Sequence, residues 1–132
     1  MANILLDTNA FSFFISGNKH IRTEIGKSDI VYLPIVVIGE LYVGYEGGAQ
    51  KDLNYKILEK FITDDKIKLL KASLETARIY GEIMVKLNKN GIPVPTNDVW
   101  IAAHAIETDS VVITYDKHFL KIPGVKVWKE LK

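Results

Sequence analysis

Four acidic residues stand next to apolar segments of the chain, where a soluble domain would be expected to form its core. They are Asp7, Glu40, Asp98 and Asp116. An ionised carboxylate near a core is costly unless a positive charge compensates it. Apart from Lys117, which follows Asp116, no lysine or arginine stands beside these four positions, so a metal ion is the expected compensating charge.

Two of these acids follow predicted strands. Asp7 directly follows the apolar run 4–6, and Asp116 closely follows the run 111–113. In open α/β sheets, ligands bind outside the carboxyl ends of the strands, at the point where the strand order reverses. If the two strands are neighbours there, their acids converge.

The other two acids lie in predicted helices. Glu40 shares a helical face with Val36 and Val43, and Asp98 lies in a first helical turn on the same face as Ile101. Helical spacing of this kind predicts that both acids point toward apolar, inward-facing surface.

Each acid except Glu40 has an ordinary structural explanation. Asp7 could cap the next helix, Asp98 could complement a helix dipole, and Asp116 could form an Asx turn. Glu40 lies in the middle of an apolar helical block and has no such explanation. One shared site is more economical than separate explanations for all four.

Carboxylate oxygens without imidazole or thiolate ligands favour Mg²⁺ or Mn²⁺ over zinc. The chain has no cysteine and no GxSxG nucleophile elbow. A carboxylate-held cation instead suits phosphodiester hydrolysis, because it activates water and stabilises the leaving oxygen.

Short apolar runs that alternate with helix-period segments must position these acids. Strands are predicted at 4–6, 30–33, 67–70, 111–114 and 125–128, and helices at 9–16, 20–27, 35–46, 51–62, 73–90 and 97–108. Thr96 is the expected cap of the last helix, and Gly91 is expected to close the helix before it. Continuously apolar strands between helices predict a doubly wound α/β sandwich with a parallel sheet.

Length and composition indicate one globular domain over residues 1–132. The chain is 48% hydrophobic and carries a net charge of +1, which alone says nothing about nucleic acid. Only two of its 17 basic residues are arginine, and no basic arm or DNA-reading helix is evident. No apolar stretch approaches the roughly 20 residues of a membrane helix, and no signal peptide is recognisable, so a cytoplasmic location is expected.

Four sequence blocks surround the acids: LLDTN at 5–9, GELYVG at 39–44, NDVWIAAHA at 97–105 and TYDKHF at 114–119. In order and spacing they resemble the PIN-domain ribonucleases, and most closely the VapC-type toxins of toxin–antitoxin pairs. Each block alone is weak, but together they are specific, and the resemblance extends over nearly the whole chain.

The resemblance implies a three-layer α/β/α sandwich with a parallel sheet of about five strands. It also implies Mg²⁺- or Mn²⁺-dependent endonucleolytic cleavage of RNA, with Asp7, Glu40, Asp98 and Asp116 as the metal-binding, catalytic acids. Thr8, Asn9 and Thr114 match supporting positions. Expected partners are an RNA substrate, a cognate antitoxin and a second copy of the chain, with DNA contacts left to the antitoxin.

The histidines and tyrosines are interpreted mainly as structural residues. His118 could act as an acid or base or contact phosphate, but a surface or helix-capping role is favoured, and His20 and His104 are interpreted as structural. Tyr42 and Tyr45 are candidates for a partner interface.

Two rival functions stay open at this point. A Mg²⁺-dependent phosphatase also places an aspartate after the first strand, but the Asp-x-Asp motif is broken here by Asn9. A non-catalytic PIN-like domain that binds RNA or protein is disfavoured, because four clustered carboxylates without a metal would repel one another.

Overall fold

Five short parallel strands form the central sheet of the computed structural model, which describes residues 3–131. They are β1 (Ile4–Leu6), β2 (Val31–Pro34), β3 (Ile67–Leu70), β4 (Val111–Ile113) and β5 (Lys126–Val127). The ends of the predicted domain, residues 1–2 and 132, lie outside this range.

Six α-helices connect the strands. They are α1 (Thr8–Ile15), α2 (Lys19–Lys27), α3 (Ile35–Glu46), α4 (Lys51–Ile62), α5 (Leu74–Lys89) and α6 (Thr96–Glu107). Short 3₁₀ helices follow β4 and β5, at Lys117–Lys121 and Lys129–Leu131. No helix among residues 3–131 is long and apolar enough to cross a membrane.

The strand order is β3-β2-β1-β4-β5, which confirms the doubly wound prediction. With the right-handed crossovers that are the rule between parallel strands, this order puts α1–α4 on one face of the sheet and α5–α6 on the other, which gives three layers. The order reverses between β1 and β4, which pair directly, with Leu6 opposite Ile113. The two strands that precede Asp7 and Asp116 are therefore neighbours, as the sequence interpretation required.

Continuous burial of the central strands explains why their sequences do not alternate. Leu5, Leu6, Val112 and Ile113 have no measurable exposure, because helices cover both faces of the sheet. The core extends into the helices through Phe11, which is 1% exposed and lies edge-on to Phe61 with ring centroids 5.0 Å apart.

The ends of α5 follow the local chemistry of the sequence. Ser73 and Thr76 form a reciprocal capping box at its start. At its end, Gly91 adopts a φ of 64°, and the N–H of Ile92 donates to the carbonyl of Leu87. The prediction that Gly91 closes this helix is confirmed.

The prediction that Thr96 caps α6 is wrong. Thr96 is the first helical residue, and Pro95 occupies the cap position without a side-chain hydrogen bond. The backbone carbonyl of Pro95 accepts from the N–H of Asp98 and from that of Val99, so the main chain alone begins the helix. The other element boundaries agree with the predictions to within one residue.

Candidate active site

Asp7 is the most buried of the four acids, with 5% of its surface exposed. Its Oδ1 accepts from the backbone N–H of Ala10 at 2.8 Å and so caps α1, while its Oδ2 accepts from the hydroxyl of Thr114. Burial raises the pKa of Asp7 from 3.8 to about 6, although these hydrogen bonds oppose the rise. Asp7 therefore caps α1, as its structural explanation expected, yet its negative charge stays poorly compensated.

Thr114 links the end of β4 to two of the acids. Its buried hydroxyl donates to Asp7 and accepts from the backbone N–H of Asp116 at 2.9 Å. Its carbonyl accepts from the indole Nε1 of Trp128 at 2.6 Å, which fixes the turn from the other side. Thr114 therefore contacts two of the acids from behind, and its supporting role in a functional site stays a prediction.

Asp98 and Asp116 form a closely coupled pair. The side chain of Asp98 is 15% exposed, and burial together with the nearby charge of Asp116 raises its pKa to about 7. The pKa of Asp116 lies below its ordinary value. Burial acts to raise it, but the backbone N–H and the imidazole of His118 lower it by more. Asp98 is therefore the member of the pair that retains a proton near neutral pH.

Glu40 is held at the rim of the site by two polar side chains. Its Oε1 accepts from the hydroxyl of Thr8 at 2.5 Å, and its Oε2 accepts from the amide of Asn97 at 3.2 Å. The expectation that Glu40 points toward inward-facing surface is wrong, because Val43 on the same helical face is 75% exposed. Ile101, on the same helical face as Asp98, is buried. This confirms the expectation that Asp98 points toward inward-facing surface.

One pocket of about 320 Å³ collects all four acids. It is lined by Asp7, Thr8, Asn9, Glu40, Pro95, Thr96, Asn97, Asp98, Ile101 and Asp116. Thr8 and Asn9 lie where the sequence predicted supporting residues. No lysine or arginine lines the pocket, so no permanently charged side chain of the pocket compensates the acids.

Two polar residues at the site were underestimated from the sequence. Asn97 holds Glu40, and its position immediately before Asp98 was the available signal. His118 was favoured as a surface or capping residue, but its Nδ1 lies 2.9 Å from Oδ1 of Asp116. The available sequence signal was that His118 lies two residues after Asp116, because a tight turn brings residues at that spacing together.

The other candidate residues lie in structural surroundings. His104 is 3% exposed, with Nδ1 3.8 Å from Glu107, and burial lowers its pKa. His20 lies 3.7 Å from Glu130 at the surface. Tyr42 and Tyr45 both pack against Tyr55, so their interface role stays a prediction.

The residues present fit a divalent cation. Their donor set consists of carboxylates, which are the ligands that Mg²⁺ and Mn²⁺ prefer. Two of the carboxyl groups have raised pKa values, and the buried Nδ1 of His118 has no hydrogen-bond partner among the described residues. A cation would compensate the charges and satisfy the orphaned nitrogen.

Together, the doubly wound fold and the acids at its switch point define a class of α/β domains with a carboxylate-lined cation site. Comparison with known families gives the particular assignment. A family model described as the PIN domain matches residues 4–125, and this chain belongs to that family.

Curated relatives place the chain within the VapC-type ribonucleases of the family. It is 30% identical to ribonuclease VapC5 of Mycobacterium tuberculosis, covering 91% of this chain and 87% of that one. It is 29% identical to the tRNA(fMet)-specific endonuclease VapC of Salmonella typhimurium, over 96% and 97% of the two chains.

The fold is likewise that of a solved VapC structure. Superposition on a chain of the DNA-bound VapBC complex of Salmonella typhimurium gives a TM-score of 0.87 at 29% identity, covering 97% of this chain and 98% of that one. The predicted PIN-like fold is confirmed, and the family assignment decides against the phosphatase alternative.

Proposed function

We propose that this chain is a metal-dependent endoribonuclease that hydrolyses RNA phosphodiester bonds as the toxin of a toxin–antitoxin pair. The observation that carries the proposal is the convergence of Asp7, Glu40, Asp98 and Asp116 on one pocket. These acids come from four separate segments of the chain, and each retains oxygen lone pairs beyond its protein hydrogen bonds.

Mg²⁺ or Mn²⁺ is the proposed cofactor, held by the four acids. When bound, the cation would activate water for attack at phosphorus and stabilise the charge on the leaving oxygen. The protein's contribution is to orient the carboxylates. Thr114 and Ala10 fix the two oxygens of Asp7, and Thr8 and Asn97 fix those of Glu40.

Proton occupancy gives Asp98 a separate role. Without a cation it holds a proton up to about pH 7, because burial and Asp116 raise its pKa. Cation binding requires the ionised form, so Asp98 must release that proton as the site fills. Loading would therefore release a proton from Asp98 to solvent.

The proposed protein partner is a cognate antitoxin that blocks the acidic pocket and carries the DNA-binding function. Solved relatives of this chain are VapBC complexes, including the DNA-bound complex of Salmonella typhimurium. The proposal is tested by co-expressing the chain with any small gene found beside its own gene and looking for copurification. An antitoxin should suppress RNA cleavage at equimolar ratio, and cleavage that continues in the copurified complex would contradict its role.

A homodimer is the second proposed assembly. An apolar pocket of about 330 Å³ lies beside the acids, lined by Ile35, Val36, Ala72, Asn97, Trp100 and His104. Ile35 is 45% exposed there, at the first position of α3. Ile35→Glu should give a monomer by size-exclusion chromatography with light scattering. Val85→Glu, at an exposed apolar position on α5, should remain a dimer.

Cleavage of RNA by the purified chain tests the central proposal. Wild type should cut RNA with Mg²⁺ or Mn²⁺ and not with EDTA, whereas Asp7→Asn should be inactive although asparagine also caps helices well. Asp65→Asn, an exposed acid between α4 and β3, is the matched control and should retain activity. RNA cleavage by Asp7→Asn in EDTA would contradict the proposal. Metal binding by wild type without cleavage of any RNA would favour the non-catalytic alternative.

A further inference from the structure

One imidazole nitrogen lies inside the acidic cluster. Nδ1 of His118 is 2.9 Å from Oδ1 of Asp116 and 3.6 Å from Oδ2 of Asp98. This nitrogen is buried although 41% of the His118 side chain is exposed. It forms no geometrically defined hydrogen bond with the described residues, although Asp116 lies within ion-pair distance of it. The nitrogen therefore lies among the carboxylates at the edge of the site, within reach of two of them but without a directed hydrogen bond to either.

The spacing of these atoms suits ligands of one cation. One ligand atom each from Asp98, Asp116 and His118 can be chosen so that all lie within 4.8 Å of one another. Ligands at about 2.1 Å from an octahedral ion are about 3 Å apart when adjacent and about 4.2 Å apart when opposite. The observed separations need no large movement to reach that geometry.

We propose that His118 supplies an imidazole ligand to the cation site and thereby makes the site select Mn²⁺ over Mg²⁺. This inference rests on the proposed cation-dependent function and specifies which ion the site takes. Mg²⁺ prefers oxygen ligands and dehydrates reluctantly, whereas transition-metal ions accept imidazole nitrogen readily. The sequence-based expectation of a site without imidazole, which left the two ions equivalent, changes accordingly.

A purely positioning role for His118 can be separated from ligation. The backbone N–H of His118 donates to Oδ1 of Asp116 at 2.9 Å, and any residue at position 118 keeps that N–H. His118→Ala and His118→Gln therefore remove the imidazole while the main-chain support of Asp116 remains. His20→Ala is the matched control, since the His20 side chain is 66% exposed and lies beside Glu130 instead of the acids.

Metal binding to the metal-free protein tests the proposal. Mn²⁺ is titrated by the electron paramagnetic resonance signal of the free ion, and Mg²⁺ by calorimetry. Both His118 variants should weaken Mn²⁺ binding by about 10-fold or more, while Mg²⁺ binding changes by less than about threefold. His20→Ala should match wild type for both ions.

Pulsed electron paramagnetic resonance supplies the direct signature. Mn²⁺-loaded wild type should show the ¹⁴N coupling of a ligated imidazole, and both His118 variants should lose it. Equal weakening of Mn²⁺ and Mg²⁺ binding, or no ¹⁴N coupling in wild type, would overturn the proposal. Absence of any Mn²⁺ or Mg²⁺ binding by wild type would instead overturn the proposed function. If a variant failed to fold, the wild-type ¹⁴N signal would still decide.

Discussion

Replacement of Asp98 by asparagine should inactivate the protein and also stabilise its metal-free form. Burial and the charge of Asp116 raise the pKa of Asp98 from 3.8 to about 7 in the folded state. A carboxyl group whose pKa is raised on folding binds more protons in the folded than in the unfolded chain. It therefore lowers stability as pH rises from about 4 through about 7. Asparagine removes that cost.

The size of the effect follows from the pKa change. At about 1.4 kcal/mol per pKa unit, the rise sets an upper bound of about 4 kcal/mol. The gain falls below this bound because Asp98 shares its proton with Asp116 and keeps some contact with solvent. We therefore expect the free energy of unfolding to rise by about 1–2 kcal/mol at pH 8. For a chain of this size, that gain raises the melting temperature by roughly 3–8 °C.

Thermal unfolding in EDTA measures the gain, with Asp65→Asn as the exposed control. The stabilisation by Asp98→Asn should be largest at pH 8 and nearly absent at pH 4, where Asp98 is protonated in both states. Added Mn²⁺ should stabilise wild type much more than the variant, and the variant should not cleave RNA. A metal-free variant less stable than wild type at pH 8 would refute the reasoning, since it would show that Asp98 holds the fold through its contacts.

Three further predictions test the surroundings of the site. Thr114→Val should lower the free energy of unfolding by about 1–3 kcal/mol, because Asp7 loses a buried donor. In urea denaturation, the exposed control Thr63→Val should change the free energy of unfolding little. An equal loss in Thr63→Val and Thr114→Val would contradict this prediction. Glu40→Gln should unfold like wild type but bind Mg²⁺ or Mn²⁺ about 10-fold more weakly by calorimetry; unchanged affinity would exclude Glu40 as a ligand. Metal-free wild type should lose stability as pH rises from 4 through 7, because Asp7 and Asp98 have raised pKa values; a flat thermal-unfolding profile would contradict those values.

Much of the fold could be predicted because local and global signals agree in this chain. Continuously apolar runs identify strands buried on both faces, and all five lie within two residues of their predicted positions. The start of α6 could not be predicted, because Thr96 has the usual chemistry of a cap but Pro95 and the main chain fulfil that role. Such a choice depends on how the preceding connector approaches the helix.

The convergence of the four acids on one pocket was predictable, and the placement of their neighbours was less so. Asp7 and Asp116 follow adjacent strands at the switch point, so topology alone brings them together. The orientation of Glu40 was not predictable from helical periodicity, because an apolar face can border a pocket mouth as well as a core. The approach of His118 to Asp116 depends on a tight turn whose geometry the sequence does not specify.

The structural and functional explanations of Asp7 are compatible. Its two oxygens accept one hydrogen bond each, from Ala10 and Thr114, so lone pairs on both remain for a cation. The same bonds fix the orientation of the carboxylate while burial keeps its pKa at about 6. Hydrogen-bond donors thus hold the acids in place without neutralising them. The remaining negative charge of Asp7 and Asp98 lowers the stability of the metal-free protein, and under the proposed function it would also attract a divalent ion, so we expect stability and cation binding to be linked through these two residues.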